Sequence, residues 1–146
     1  MKAALVVLLF VFSSVNCNFE LRHLEGMNDL HTLCKLYSGT TEQLIEGVKK
    51  GQFPDNEPSI QRYNFCLWGQ AGELDSNYRI IVPKLMTYLT GIEKQYAVHY
   101  IKCNEMALGL ANKDPVQKIW EMEKCANKRI KDNKVKNDYP FAFDTV

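Results

Sequence analysis

In this chain of 146 residues, four cysteines are the most informative candidates for chemistry, because of their residue type and their spacing. They are Cys34, Cys66, Cys103 and Cys125. None stands in a C-x-x-C pair, and the chain lacks an H-E-x-x-H sequence, which argues against a zinc site or a thiol redox centre. An even number of cysteines in a secreted chain indicates two disulfide bonds, for which three pairings are possible. Each bond would stabilise the fold by about 3–4 kcal/mol.

The remaining polar residues form no recognisable catalytic motif. The three histidines, His23, His31 and His99, lie in stretches with a helical pattern, where a histidine is more often a core or surface residue than a catalyst. The chain has no G-x-S-x-G sequence and no glycine-rich phosphate loop, and its cysteines are assigned to disulfide bonds. We therefore expect a protein that is not an enzyme and that needs no metal ion or cofactor.

The composition is that of an ordinary globular domain. The chain is 46% hydrophobic and 24% charged, which excludes a disordered or fibrous protein. Eighteen basic and seventeen acidic side chains give a formal net charge of +1. This near-neutral charge argues against a nucleic-acid-binding protein, which would carry a strong basic excess.

The first seventeen residues have the pattern of a secretory signal peptide. Lys2 precedes the apolar run 3–12, and Val15 and Cys17 stand at the positions that a signal peptidase reads. Ten apolar residues are too few to cross a bilayer, which needs about 20. We expect a soluble, secreted, extracellular protein that begins near Asn18 and does not insert into a membrane. The alternative is an N-terminal anchor or a buried helix.

The body of the chain, residues 18–132, has the pattern of a single all-α domain of about six helices. Gly39 is expected to end the first helix, and Thr40 with Gln43 forms a capping box for the second. Asn56 is expected to cap the third helix, with Pro58 in its first turn. Gly69 and Gly72 are expected to break this helix.

The second half of the domain has equally clear start signals. The segment 80–82 could form a short strand, after which Pro83 begins a helix. Thr90 and Glu93 predict a capping box for the longest helix, which we expect to run to about Leu110. Its core stripe is predicted to contain Ile92, Tyr96, Tyr100, Cys103, Ala107 and Leu110. Asp114, Pro115 and Gln117 mark the start of the last helix.

The apolar and aromatic inventory is large for so small a domain. Seven Tyr, seven Phe, two Trp and five Met residues are present, and ordinary core packing accounts for most of them. Six short helices around two disulfide bonds can nevertheless enclose a central apolar cavity lined by such side chains. Methionine adapts to irregular ligands, and tyrosine adds a hydroxyl group to an apolar ring. The composition is thus compatible with a carrier of a small apolar ligand.

The four cysteines also resemble the cysteine frame of the insect odorant-binding protein family, the pheromone and general odorant-binding type. Gaps of 31, 36 and 21 residues separate them, so that they match the first, third, fourth and sixth of that family's six cysteines. Arg62 and Val116 then occupy the places of the second and fifth cysteines, which are partners in the family. The chain therefore looks like a member of the four-cysteine, or minus-C, branch.

This resemblance covers nearly all of residues 18–127, and it implies both a fold and a function. It implies six helices, with disulfide bonds between Cys34 and Cys66 and between Cys103 and Cys125. It implies non-enzymatic carriage of small hydrophobic ligands such as odorants, pheromones or fatty acids. The implied partners are such a ligand and a membrane chemoreceptor, without nucleic acid, and the implied state is a monomer or weak dimer. Losing the third bond is expected to leave the last helix freer to move.

Helix phase and family position together suggest the ligand-binding side chains. They are Leu30, Leu44, Val48, Trp68, Leu74, Tyr78, Leu85, Met86, Leu89, Tyr96, Tyr100, Ile119 and Trp120. The tyrosines at 96 and 100 could donate a hydrogen bond to a ligand. Release of the ligand by protonation of His31 or His99 is conceivable, because imidazole titrates near pH 6.5.

The C-terminal tail, residues 133–146, is a second candidate element of the site. Phe141 and Phe143 would point to one side of an extended segment, and in some members of the family this segment enters or covers the cavity. The alternative is a frayed end, which is the usual state of termini. We include both phenylalanines among the candidate ligand-binding residues.

Two other functions remain open. A salivary or venom protein with the same fold could scavenge host amines or lipids, but it would need acidic groups inside the cavity, and none is obvious on the apolar stripes. Alternatively, a module with a filled core could work through its surface. Uptake of apolar or amine ligands would separate these functions from the carrier.

Overall fold

The computed structural model describes residues 27–89 and 91–132, with the side chains of 27, 28 and 92 excepted. The predicted signal peptide, the C-terminal tail with Phe141 and Phe143, and Thr90 lie outside these residues. The described part is all-α, as predicted. Its helices are α1 (Met27–Ser38), α2 (Glu42–Lys49), α3 (Pro58–Gln70), α4 (Val82–Tyr88), α5 (Ala97–Leu108) and α6 (Pro115–Asp132).

Several predicted helix boundaries are confirmed in atomic detail. Gly39 follows α1 with a φ of 70°, the left-handed conformation that glycine adopts without strain. At the start of α6 the predicted capping box is complete. The amide of Gln117 donates to Asp114 Oδ1 over 2.9 Å, and the amide of Asp114 donates to Gln117 Oε1 over 3.2 Å.

Two predicted caps in the first half of the domain are wrong by one residue. Thr41, not Thr40, caps α2, because its hydroxyl oxygen accepts a hydrogen bond from the amide of Leu44 over 3.3 Å. Glu57, not Asn56, precedes α3, and its side chain makes no capping bond. Thr40 and Thr41 have the same capping group, and the structure gives Thr41 the extended backbone that a cap needs.

The break expected at Gly69 is also wrong, because α3 continues through this residue to Gln70. Gly72, the second predicted break, lies beyond the helix with a φ of 70°. The segment 80–82 forms one antiparallel bridge, between Leu74 and Ile80, rather than a strand, and Val82 already belongs to α4.

The longest predicted helix is divided in the structure. Residues Gly91–Tyr96 form a 3₁₀ segment, and α5 begins only at Ala97 and ends at Leu108. The 18 residues of α6 make it the longest α-helix of the described part. Leu110, predicted as a core residue, is 38% exposed because it lies beyond the end of α5.

The disulfide pairing agrees with the pairing that the family resemblance implies. Cys34 of α1 is bonded to Cys66 of α3, with their Cα atoms 5.5 Å apart. Cys103 of α5 is bonded to Cys125 of α6, with a Cα–Cα distance of 5.6 Å. Each bond thus joins two helices that already pack side by side, and this fixes the inner faces on which the site is built.

Candidate functional site

The inner faces of the six helices meet in one apolar cluster that contains most of the predicted ligand-binding residues. Nine of the thirteen described candidates are buried, with at most 4% of their surface exposed: Leu30, Val48, Trp68, Leu85, Leu89, Tyr96, Tyr100, Ile119 and Trp120. Leu44, Leu74 and Met86 are partly buried and pack against this cluster. The structure therefore brings twelve candidates together at the centre of the domain.

Tyr78 lies apart from the other candidates. It is 37% exposed in the turn before α4, has a φ of 61°, and contacts the ring of Phe65, with the centroids 5.9 Å apart. Asn104 of α5 holds this turn in place. Its amide nitrogen donates to the carbonyl of Tyr78 over 3.0 Å, and its amide oxygen accepts from the amide of Ile80 over 3.1 Å.

A polar contact crosses the apolar cluster from α3 to α6. The indole nitrogen of Trp68 donates to Glu123 Oε1 over 2.6 Å, and neither side chain is exposed. The ring of Trp68 also packs against Tyr100, with a centroid separation of 5.7 Å. A hydrogen bond to a buried carboxylate is worth more than one between neutral groups, so this contact fixes the two helices relative to each other.

Glu73 is a second buried acidic residue and differs from Glu123 in its surroundings. It is 0% exposed, and neither of its carboxylate oxygens has a hydrogen-bond partner. Burial raises its pKa from the ordinary 4.5 to about 7, against the opposing positive charge of Lys84. Neither Glu73 nor Glu123 belongs to the apolar stripes predicted from the sequence, so a search along those stripes does not find these acidic groups.

A groove of about 480 Å³ lies where the N-termini of α3 and α6 meet, and we call it the α3–α6 groove. Arg62 and Val116, which the resemblance predicts to stand in the places of the second and fifth cysteines, both line it. The other lining residues are Asp55, Pro58, Gln61, Lys113, Asp114, Gln117, Trp120 and Glu121. Two positions that are far apart in sequence thus converge on one surface feature.

Asp55 connects the two sides of this groove. Its carboxylate accepts hydrogen bonds from the indole nitrogen of Trp120 over 3.0 Å and from Lys124 Nζ over 2.7 and 2.9 Å. The hydrogen bond from Lys124 lowers the pKa of Asp55, and burial acts in the opposite direction. The hydrogen bond from Trp120 lowers this pKa further. The segment before α3 is therefore tied to α6 by charge.

The two described histidines have different environments. His31 shares a hydrogen bond with the hydroxyl group of Tyr63, which links α1 to α3. Burial lowers the pKa of His99 below 6.5, and the positive charges of Arg129 and Lys102 act in the same direction. His99 therefore stays neutral to a lower pH than an ordinary histidine, and release of a ligand through either residue stays a prediction.

No cluster of three metal-ligating side chains occurs among residues 27–89 and 91–132. In the same part of the chain, every helix is too short or too polar to span a bilayer. The described interior is thus an apolar core that contains two buried acidic groups, Glu73 and Glu123, and two disulfide bonds join the surrounding helices in pairs.

Comparison with known proteins identifies this arrangement. The model of the PBP/GOBP family matches residues 18–129, which include the helices up to Arg129 of α6 and both disulfide bonds. The chain belongs to the PBP/GOBP family. This is the insect odorant-binding protein family, whose members are secreted binding and carrier proteins for small ligands rather than enzymes. No curated protein sequence matches the chain.

Membership of the PBP/GOBP family confirms the resemblance on which the sequence interpretation rests. It accounts for the helix order and for the two disulfide bonds. The two acidic residues of the interior and the charged contacts of Asp55 are features that the sequence interpretation missed. Their immediate neighbours carry no signal, because Glu123 is followed by Lys124 and Glu73 is preceded by Gly72.

Proposed function

We propose that the protein is a secreted, non-enzymatic carrier of small hydrophobic ligands such as odorants, pheromones or fatty acids, held in an internal cavity between the helices. The observation that carries this proposal is the PBP/GOBP family match over residues 18–129. The apolar inner faces of all the helices support it, since ligand pockets are lined mainly by apolar and aromatic side chains. A signal peptide at residues 1–17 and a membrane chemoreceptor as partner belong to the same proposal.

The side chains proposed to contact the ligand are the twelve interior candidates, with Tyr78 at the rim. Met86 is the most useful of them for a test because it is partly buried and packs against the apolar cluster without belonging to its fully buried part. A methionine at such a place can move to accommodate ligands of different shape. The tail with Phe141 and Phe143 is proposed as a cover of the cavity.

We also propose that the chain belongs to the four-cysteine branch of its family. The support is that Arg62 and Val116 line the same groove, as the partners of a lost disulfide bond should. The contacts of Asp55 with Lys124 and Trp120 connect the segment before α3 with α6 without a covalent bond.

Binding of the apolar dye Nile red, followed by its displacement with straight-chain alcohols of increasing length, tests the carrier function. We expect micromolar affinities that increase with chain length, because each methylene group buried contributes about 0.8 kcal/mol. Met86→Trp should fill the proposed cavity and weaken binding about tenfold. The matched control is Met106→Trp, since Met106 is 58% exposed on α5. A protein that takes up no dye, or equal losses in both variants, would contradict the proposal.

A further inference from the structure

Glu73 is a buried acid to whose carboxylate no residue of the described part of the chain offers a hydrogen bond. Its side chain is completely buried, and neither carboxylate oxygen is hydrogen-bonded. An unsatisfied buried polar group costs about 1–3 kcal/mol, and more if it is charged. The backbone cannot move to relieve this cost, because the amide of Glu73 donates to the carbonyl of Trp68 over 3.2 Å and its own carbonyl accepts from Ile81 over 2.7 Å.

The charged and titratable groups that act on Glu73 both belong to α4. They are the ammonium group of Lys84 and the phenol of Tyr88, whose pKa is raised by burial and by the negative charge of Glu73. Lys84 is exposed, and its Nζ lies over the turn at Gly72, where an added Cβ atom would be only 3.0 Å away. A flexible, exposed side chain therefore lies at the turn next to the buried carboxyl group.

We propose that Glu73 is the polar end of the ligand site and that it binds the ammonium group of an aliphatic amine whose alkyl chain lies among the apolar side chains. This inference rests on the proposed carrier function. An ammonium group offers three hydrogen-bond donors together with a positive charge, whereas Lys84 acts on Glu73 by its charge without a hydrogen bond. A hydroxyl group offers a single donor without charge, and the carboxylate of a fatty acid would be repelled by an ionised Glu73.

The amine reaches Glu73 when the side chain of Lys84 moves aside. Because Lys84 is exposed and makes no hydrogen bond to Glu73, its displacement breaks no buried contact. The ammonium group of the ligand then replaces Lys84 as the positive charge that stabilises the ionised Glu73, and it lies closer to the carboxylate than Lys84 did. Since Glu73 must be ionised to pair with it, amine binding releases a proton from this residue below about pH 7.

The test compares octylamine with octanol, which share one alkyl chain, as competitors of Nile red. We expect octylamine to bind at least tenfold more tightly than octanol at about pH 8 and to lose most of that advantage at about pH 6. Octylamine remains protonated throughout this range, so the change reports on the protein. Glu73→Gln should remove both the preference for octylamine over octanol and the pH dependence of that preference. Lys84→Met should retain or increase amine affinity.

Heteronuclear NMR of the Glu73 carboxyl group gives a readout independent of the competitors. We expect its titration midpoint to lie near 7 in the free protein and to fall below 4.5 when octylamine is bound. A midpoint below 4.5 without ligand would mean that Lys84 pairs with Glu73 in solution, and it would overturn the inference. Equal octylamine affinity in the wild type and Glu73→Gln, with octanol bound normally, would overturn this inference alone. If neither compound binds, the carrier function fails as well.

Discussion

A third disulfide bond should form when cysteines are placed at the two positions that converge on the α3–α6 groove. The change is the double variant Arg62→Cys with Val116→Cys, which places cysteines at the positions that we propose for the family's second and fifth cysteines. The new bond would close a loop of about 54 residues, which on the chain-entropy model stabilises the fold by about 4 kcal/mol. The existing bonds, 34–66 and 103–125, do not provide a much shorter covalent path between positions 62 and 116, so they do not reduce this stabilisation appreciably.

Part of this gain is offset by a lost contact. The guanidinium group of Arg62 donates to the carbonyl of Ser38 over 3.2 Å, and removing this bond costs about 1 kcal/mol. We therefore expect the oxidised double variant to be about 3 kcal/mol more stable than the wild type.

Mass spectrometry after air oxidation measures disulfide formation, and guanidinium unfolding measures the stability. The reduced double variant and the two single variants are the controls, and each should be slightly less stable than the wild type. Two free thiols after oxidation would show that positions 62 and 116 do not face each other at disulfide distance. That result would refute both the assignment of the missing cysteines and the four-cysteine interpretation.

Three further changes test individual contacts. Asp55→Asn should lower the free energy of unfolding by about 0.5–1 kcal/mol at neutral pH, as for an exposed ion pair. The loss should disappear in acid, as pH falls through the lowered folded-state pKa of this group. Glu105→Gln, an exposed carboxylate on α5, should change little, and an equal effect would argue against the Asp55 contacts. Trp68→Phe should cost about 2–4 kcal/mol because it removes the donor to Glu123 and leaves space, and a loss below 1 kcal/mol in thermal unfolding would contradict that bond. Glu73→Gln should be about 2–3 kcal/mol more stable than the wild type above pH 7 and nearly equal to it in stability below about pH 4.5. The reason is that the raised folded-state pKa of Glu73 makes its ionised form unfavourable in the folded protein, whereas glutamine carries no charge. A difference in stability that does not change with pH would refute this.

Local signals in the sequence predicted most of the helical framework. Asp114 and Gln117 have the residue types of a capping box, Pro115 fits the first turn, and the structure contains that box in full. These features could be predicted because a cap depends on residues within one helical turn. The cap of α2 could not be predicted to the residue, because Thr40 and Thr41 offer the same hydroxyl group and only the folded backbone selects one of them.

The parts that could not be predicted depend on contacts between distant residues. The bond between Trp68 and Glu123 joins positions 55 residues apart, and Glu73 is completely buried although it lies outside any helix. An acidic residue in a helical pattern is normally assigned to the water-facing side, so a search along apolar stripes passes over it. The ligand-binding assignments of the interior residues stay predictions, since their burial fits a core and a cavity wall equally.

The arrangement of the two disulfide bonds divides the domain into two covalent halves. One bond joins α1 to α3 and the other joins α5 to α6, so neither crosses the exposed turn at residues 76–79. A protease cut in that turn would leave fragments connected only by non-covalent contacts, among them those of Trp68 and Asp55 with α6 and the hydrogen bond from Ile81 to Glu73. The nicked protein should stay whole under native conditions and separate in detergent without reductant. The same property makes this turn a suitable place to split the chain for fragment complementation.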